Sequence, residues 1–230
     1  MPPFYFLYEV FFMESFMQPS LNARGVRDVI LENTMAKDDG FKYSGMWVFT
    51  GSQGSGKTLL MMHLLKQILD DSPNCIVVSN ISIYGIPSYP YKGIEDFDTY
   101  NNGRDGIIFV LDEIHTLFNS LESRSMPLST IQVWSQNRKN RRLILGTTQR
   151  FTRAAKGIRE QTTFNYECRK GIGGFLYSYR VFLGDGYDDN GKYTEDEPRR
   201  HFYVPQVKVM RMYNTLEVIR RENYKNGSDN

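Results

Sequence analysis

The sequence predicts an α/β fold, with a mostly parallel sheet covered by helices on both faces and a β-rich extension at the C-terminus. Three observations predict it. Short runs rich in Ile, Val and Leu alternate with helical stretches through the middle of the chain. A glycine-rich turn, "GSQGSGKT" (51–58), stands between one such run and one such helix. From about residue 162 the helical periods give way to successive strand-like runs.

Taken in order, the chain opens on "FYFLYEVFFMESFM" (4–17), apolar on nearly every helical face yet interrupted by Glu9 and Glu14. A bilayer span takes roughly 20 residues with few charges, so this segment is too short and too charged to cross. It has neither the basic start nor the small-residue cleavage site of a secretory leader. It is read either as packed against the domain or as a contact to a subunit, a capsid or a membrane surface. "MWVFT" (46–50) is the first strand and Thr58 to Leu69 the first helix. "CIVVSNISI" (75–83), "GIIFVLD" (106–112) and "RLILGTT" (142–148) are the next strands, with helices expected near 114–119, 128–140 and 151–160. "TTFNYECRK" (162–170), "YSYRVFL" (177–183) and "RRHFYVPQVKVM" (199–210) read as further strands, which either extend the sheet or form a separate lobe. "GDGYDDNGK" (184–192) is a hairpin turn, because Asp185, Asp188 and Asp189 lack the calcium-loop spacing and its closing Glu. The expected organisation is an N-terminal segment (1–40), a core (41–165) and a β-rich extension with a frayed polar tail (166–230).

With 230 residues, 40% of them apolar, the chain can bury one sizeable core, and it is not a disordered protein. The net charge is only +2, but from Arg138 to Lys170 ten basic residues face only Glu160 and Glu167. The rest of the chain therefore carries about −6. Such asymmetry fits a surface that faces a polyanion, or else a solvated helix face together with arginines of a nucleotide site. Cys75 and Cys168 stand far apart and, like His63, His115 and His201, show no metal-ligand spacing, so no structural metal is expected.

The turn at 51–58 matches G-x-x-x-x-G-K-T through Gly51, Gly56, Lys57 and Thr58. Glycines let a backbone turn tightly enough to aim its N–H groups at phosphate oxygens, and a helix N-terminus adds positive potential. The expected phosphate cradle is Gly51, Ser52, Gln53, Gly54, Ser55, Gly56, Lys57, Thr58 and Leu59. Lys57 would reach the outer phosphates and the Thr58 hydroxyl would ligate Mg2+. "IIFVLDE" supplies the second half: a buried strand delivers Asp112 at its carboxyl end, where open α/β sheets bind ligands. Asp112 would complete the Mg2+ shell, while Glu113 would polarise an attacking water. A carboxylate beside the metal-binding Asp suits hydrolysis better than phosphoryl transfer to a second substrate. Gln149, just past another core strand, is placed to sense the terminal phosphate or the water. Arg138, Arg141, Arg142, Arg150, Arg153 and Arg159 are candidates for a transition-state arginine, with Arg138 and Arg141 preferred, then Arg150.

"WVFTGSQGSGKT", "IVVSNISI", "IIFVLDEIHTLFNS" and "VWSQNRKNRRLILGTTQRFTRAAKGIRE" together resemble the zonular occludens toxin-like P-loop ATPases of phages. These belong to the FtsK–HerA branch, which includes viral genome-packaging ATPases. The "SNI" after the second strand and the "TTQR" after the fourth make the resemblance, over about 45 to 165, more specific than the phosphate loop alone. It implies a RecA-like P-loop core, ATP as the nucleotide, and a ring-forming motor, expected as a hexamer, that moves DNA into a capsid or through an envelope. It also implies a place in the virion or the host cytoplasm. Filamentous-phage members usually continue into a transmembrane helix, and the sequence contains no stretch of that kind, which favours packaging or DNA transfer over filament extrusion. Other readings are a motor acting on protein at a membrane, a nucleotide-controlled interaction module with little turnover, and a small-molecule kinase.

Overall fold

A computed structural model describes residues 40–117, 136–154, 156–171, 176–188 and 191–213. The aromatic stretch 4–17, the tail 226–230 and residues 128–135 of an expected helix lie outside the described residues.

The strands form where β-branched and aliphatic residues run together. β1 (Gly45–Thr50), β2 (Ile76–Ser79), β4 (Ile107–Leu111) and β5 (Arg142–Thr148) are joined by the two-residue β3 (Tyr89–Pro90) at one edge. Every residue of β4 and β5 is buried, so β4 is continuously apolar and β5 carries the apolar run Leu143, Ile144 and Leu145 where a half-exposed strand would alternate, while its Arg142, Thr147 and Thr148 are buried with hydrogen-bond partners. β6 (Thr162–Lys170), β7 (Tyr177–Leu183) and β8 (His201–Tyr203) complete an eight-stranded sheet in the order β3-β2-β4-β5-β1-β6-β7-β8. All pairs from β3 through β6 are parallel; β7 and β8 are antiparallel. The strands after 162 thus extend the sheet, and β6, paired with β1, runs across the boundary expected at 165.

Each face of the sheet is packed. On one lies α1 (Lys57–Asp71), which buries Leu59, Leu60, Met61, Met62, Leu65 and Ile68 against Phe49, Val77, Ile108, Val110 and Leu145. Its other side is polar, carrying an i, i+4 ion pair of Lys66 with Asp70 at 2.7 Å. Burying each of those apolar side chains is worth about 1.5 to 3 kcal/mol. The opposite face packs Phe97 of α2 (Asp96–Thr99), Ile114 of α3 (Ile114–Leu117), Phe151, and Ile158 of α4 (Lys156–Gln161) on Val48, Phe109 and Ile144.

Three expected elements are corrected. Residues 136–140 form a turn instead of the end of a helix, closed by Asn140 N–H on the Gln136 carbonyl (3.0 Å) and Arg142 N–H on the Asn137 carbonyl (2.9 Å). The stretch 151–160 divides into a 3-10 turn, Phe151–Arg153, and α4. The run 199–210 is a strand only at His201–Tyr203, since Pro205 cannot donate to a ladder, and continues as α5 (Val207–Met210). From α5 the chain crosses to the loop after β2, where Tyr84 N–H donates to the Met212 carbonyl at 2.7 Å and Ile83 bridges Tyr213. Val209 and Met212 are buried in the core on the α1 side.

Candidate nucleotide site

Strand order builds the site. β5 lies between β1 and β4, so their carboxyl ends bring the 51–56 turn, residues 112–113 and residues 147–149 together. Open parallel sheets place their ligands at this edge.

The loop takes a path that side chains would obstruct. Gly51 and Gly56 have φ of +143° and +90°. A Cβ on Gly56 would stand 2.5 Å from the Tyr177 ring, and one on Gly51 would stand 2.4 Å from the Cys168 carbonyl oxygen. Ser55 N–H donates to the Ser52 carbonyl at 3.1 Å, and the Lys57 ammonium donates to the same oxygen at 3.1 Å. Ser52, Gln53 and Gly54 are exposed; Ser55 is buried, and its hydroxyl has no hydrogen-bond partner among the described residues. The Leu59 side chain points into the core, so only its backbone N–H is left for a ligand. No acidic residue occupies the first turn of α1, which leaves the positive end of a fifteen-residue helix uncompensated and suited to phosphate.

Hydrogen bonds lock the end of β4. The Thr58 hydroxyl donates to Asp112 Oδ1 at 3.1 Å, and Thr147 donates to that oxygen at 2.7 Å. The Thr147 hydroxyl also accepts from Glu113 N–H at 2.9 Å. Asn80, from the "SNI" after β2, receives Asp112 N–H on its side-chain oxygen (2.8 Å) and donates to the Asp112 carbonyl (2.9 Å). Glu113 adopts φ +52°, an uncommon conformation for a residue with a side chain, at the sharp turn from β4 into α3. Its carbonyl accepts from both N–H and hydroxyl of Thr116, at 2.8 and 2.9 Å. His115 Nδ1 lies 3.2 Å from both Glu113 Oε2 and Thr148 Oγ1.

Gln149 stands at the same edge, half-buried, its side-chain oxygen accepting from Arg153 at 2.8 Å. Arg150 is exposed beside it. Arg138 and Arg141 are not brought to this loop. They precede β5 at the amino edge, about 20 Å away by strand rise, and Arg141 donates to the Arg104 carbonyl at 3.5 Å. Any part they take in hydrolysis would therefore be at another subunit's loop. Arg142 is buried, donates to the Phe97 carbonyl and sits over the rings of Phe97 (5.6 Å) and Phe109 (5.8 Å), which makes it a core residue.

Sequence reasoning gave no role to Asn80, His115, Thr147, Thr148 or Tyr177. The signal available for four of them was a polar side chain at or just past the carboxyl end of an apolar strand. Burial also shifts groups around the loop: Cys168, behind Gly51, is pushed up to about 12 by desolvation, partly offset by Lys57. Tyr213 is pushed up to about 12 by burial, then by Tyr177 and the charge of Asp112.

A phosphate loop closed by a threonine–aspartate contact on a parallel sheet defines a P-loop ATPase. The chain belongs to the ATPase family associated with various cellular activities (AAA), whose model matches residues 47–170, more than half of the chain. No curated protein matches it in sequence. Its fold is similar to that of the N-terminal domain of zonular occludens toxin from Neisseria meningitidis, at TM-score 0.58 and 16% identity over 74% of this chain and 99% of that one. It is also similar to the ATPase domain of G40P, at TM-score 0.50 and 8% identity over 83% and 97%. The genome-packaging NTPase B204 of Sulfolobus turreted icosahedral virus 2, with AMPPCP, matches at TM-score 0.46 and 11% identity over 71% and 98%. The fold expected from the zonular occludens toxin-like resemblance is therefore the fold observed, and the chain is an ATP-hydrolysing enzyme. No helix among the described residues is long and apolar enough to cross a membrane.

Proposed function

We propose that this ATPase is a DNA translocase or genome-packaging motor of a phage or mobile element, working as a homo-oligomeric ring. The observation that carries the reading is the contact of Thr58 with Asp112, with Glu113 adjoining it at the loop's edge. A hydroxyl and a carboxylate oxygen 3.1 Å apart are hard donors that suit Mg2+, which would neutralise phosphate charge there. The loop N–H groups of Gly51 to Leu59 and the Lys57 ammonium hold the phosphates. To do so Lys57 exchanges the Ser52 carbonyl for a phosphate oxygen. Glu113 polarises the water, and Gln149 reports on the terminal phosphate through Arg153 to the turn that follows.

DNA as the moved polymer is supported by the basic residues between Arg138 and Lys170, all but the buried Arg142 at least partly exposed. Contacts from such a block fall on phosphates and are independent of sequence. Arg138, Arg141 and Arg150 remain the candidates to act on a neighbouring subunit's nucleotide. The aromatic segment 4–17 is a candidate contact to a capsid or membrane surface in the virion or host cytoplasm.

The test is steady-state ATP hydrolysis without DNA and with double- or single-stranded DNA, at low and moderate salt. Stimulation by DNA that fades with salt and vanishes in Lys57→Ala and Glu113→Gln is expected. Hydrolysis indifferent to both DNAs at low salt would overturn the DNA reading and leave the ATPase intact. Sedimentation with a non-hydrolysable nucleotide tests the ring, which a purely monomeric protein would exclude.

A further inference from the structure

We propose that His115 is a positioning residue that sets the direction of the Glu113 carboxylate and couples it to the end of β5. The proposal rests on the reading of Glu113 as the group that polarises the water. Its starting point is that three partners compete for one imidazole nitrogen and one hydroxyl proton. His115 Nδ1 lies 3.2 Å from Glu113 Oε2 and 3.2 Å from Thr148 Oγ1. The Thr148 hydroxyl has a second acceptor, the Arg150 carbonyl, at 3.4 Å.

A ring nitrogen carries either a proton or a lone pair in its plane, so Nδ1 serves one role at a time. With the proton on Nδ1, Glu113 Oε2 at 3.2 Å is within reach of it, and a turn of the Glu113 side chain brings the two into line for a hydrogen bond while Thr148 turns its proton to the Arg150 carbonyl. With Nδ1 bare, it accepts from Thr148, and Oε2 loses that donor. Oε2 has no accessible surface and no hydrogen bond among the described residues, so without the imidazole proton it is a buried, uncompensated carboxylate oxygen. The side chain then leaves that position. The exchange needs only a move of the proton between the ring nitrogens and no change of charge.

The Glu113 backbone cannot follow, because Thr147 holds its N–H and Thr116 its carbonyl. What remains free is the side-chain rotamer, and His115 selects it. Thr148 is the last residue of β5 and Gln149 follows it, so a shift of Gln149 on contact with nucleotide alters the Thr148 hydroxyl and, through His115, the carboxylate.

The experiment measures kcat and KM for ATP, and binding of a fluorescent nucleotide, in wild type, His115→Ala, His115→Asn, His115→Gln and Glu113→Gln. His115→Ala is expected to lower kcat about 10- to 100-fold and leave KM and nucleotide binding within about threefold, because the loop still holds the phosphates. Asn places an amide donor where Nδ1 stands and is expected to recover most of kcat; Gln reaches the Nε2 position and is not. An unchanged kcat in His115→Ala, or equal losses in Asn, Gln and Ala, would overturn the positioning role. If Glu113→Gln itself hydrolyses ATP near the wild-type rate, the reading of Glu113 fails instead.

Discussion

Asn80 holds Asp112 by both of its backbone polar groups, accepting from its N–H at 2.8 Å and donating to its carbonyl at 2.9 Å. β2 is thereby tied to the end of β4 beyond the regular ladder, and the Asp112 carboxylate is left to Thr58 and Thr147. Asn80→Ala removes two hydrogen bonds at a partly buried site, at a cost of about 1 to 3 kcal/mol in stability. Hydrolysis is expected to fall more than nucleotide binding, because the loop on β1 is untouched. Asn80→Asp is expected to be worse than Ala, since a carboxylate there faces the Asp112 carbonyl with no proton to offer. Thermal unfolding and ATPase assays on both variants check the order, and Asp matching wild type would refute it.

Gly56 and Tyr177 are a second coupled pair, for the loop approaches the extension closely. Gly56→Ala meets two obstacles: the left-handed φ of +90°, which costs an ordinary residue about 1 to 2 kcal/mol, and the Tyr177 ring at 2.5 Å. Nucleotide affinity is expected to drop at least tenfold in Gly56→Ala and to recover only partly in Gly56→Ala with Tyr177→Ala, because the second change removes the clash and leaves the backbone strain. Full recovery in a titration with fluorescent ATP would assign the whole effect to the ring.

The loop was legible in the sequence because its parts are contiguous: Gly51 to Thr58 carry the turn, the helix start and the ammonium in eight residues. β6 and β7 were legible to the residue because each is bounded by a change of pattern. The network around Asp112 was not, because Asn80, Thr147 and His115 meet only through the register that sets β2 beside β4 and β4 beside β5. That register is set by packing across the sheet and leaves no local trace. Arg138 and Arg141 both precede β5, while the loop lies past the carboxyl ends of its neighbours, so within one subunit they stand apart from it, a separation that strand direction creates and local sequence does not display. The turn at 136–140 was read as helix because its charges mimic a solvated helical face, whereas Arg141, with φ +48°, closes a reversal.

Arg142 separates a core arginine from a catalytic one. Burial lowers its pKa, with the Asp98 charge acting the other way, and its guanidinium is held by the Phe97 carbonyl and two rings. Arg142→Ala leaves a cavity and an unpaired carbonyl and is expected to cost about 3 to 5 kcal/mol. Arg142→Met keeps the volume and is expected to cost less while retaining kcat per folded molecule. Urea titration with activity normalised to the folded fraction tests this, and a hundredfold loss of kcat in a well-folded Met variant would show that the guanidinium acts in hydrolysis.

Two buried thiols make stability depend on alkaline pH. Cys75 and Cys168 ordinarily ionise at 9.0, and burial pushes both up to about 12. Between these values the unfolded chain has released the protons that the folded chain keeps. Their stabilising contribution is therefore complete below pH 9 and declines as pH rises towards 12. Each thiol removes about 1.4 kcal/mol per pH unit in that interval. The window from about pH 9 to 10 is the informative one, because the tyrosines of the unfolded chain, such as Tyr166, begin to titrate above it. Urea unfolding at pH 8, 9 and 10 is expected to show stability falling over the last step, with a shallower fall in Cys168→Ala. Alkylation of either thiol at pH 8 is expected to track global unfolding. Rapid labelling of Cys168 in the native protein, or an unchanged pH slope in Cys168→Ala, would mean that the wall behind the phosphate loop is open to solvent.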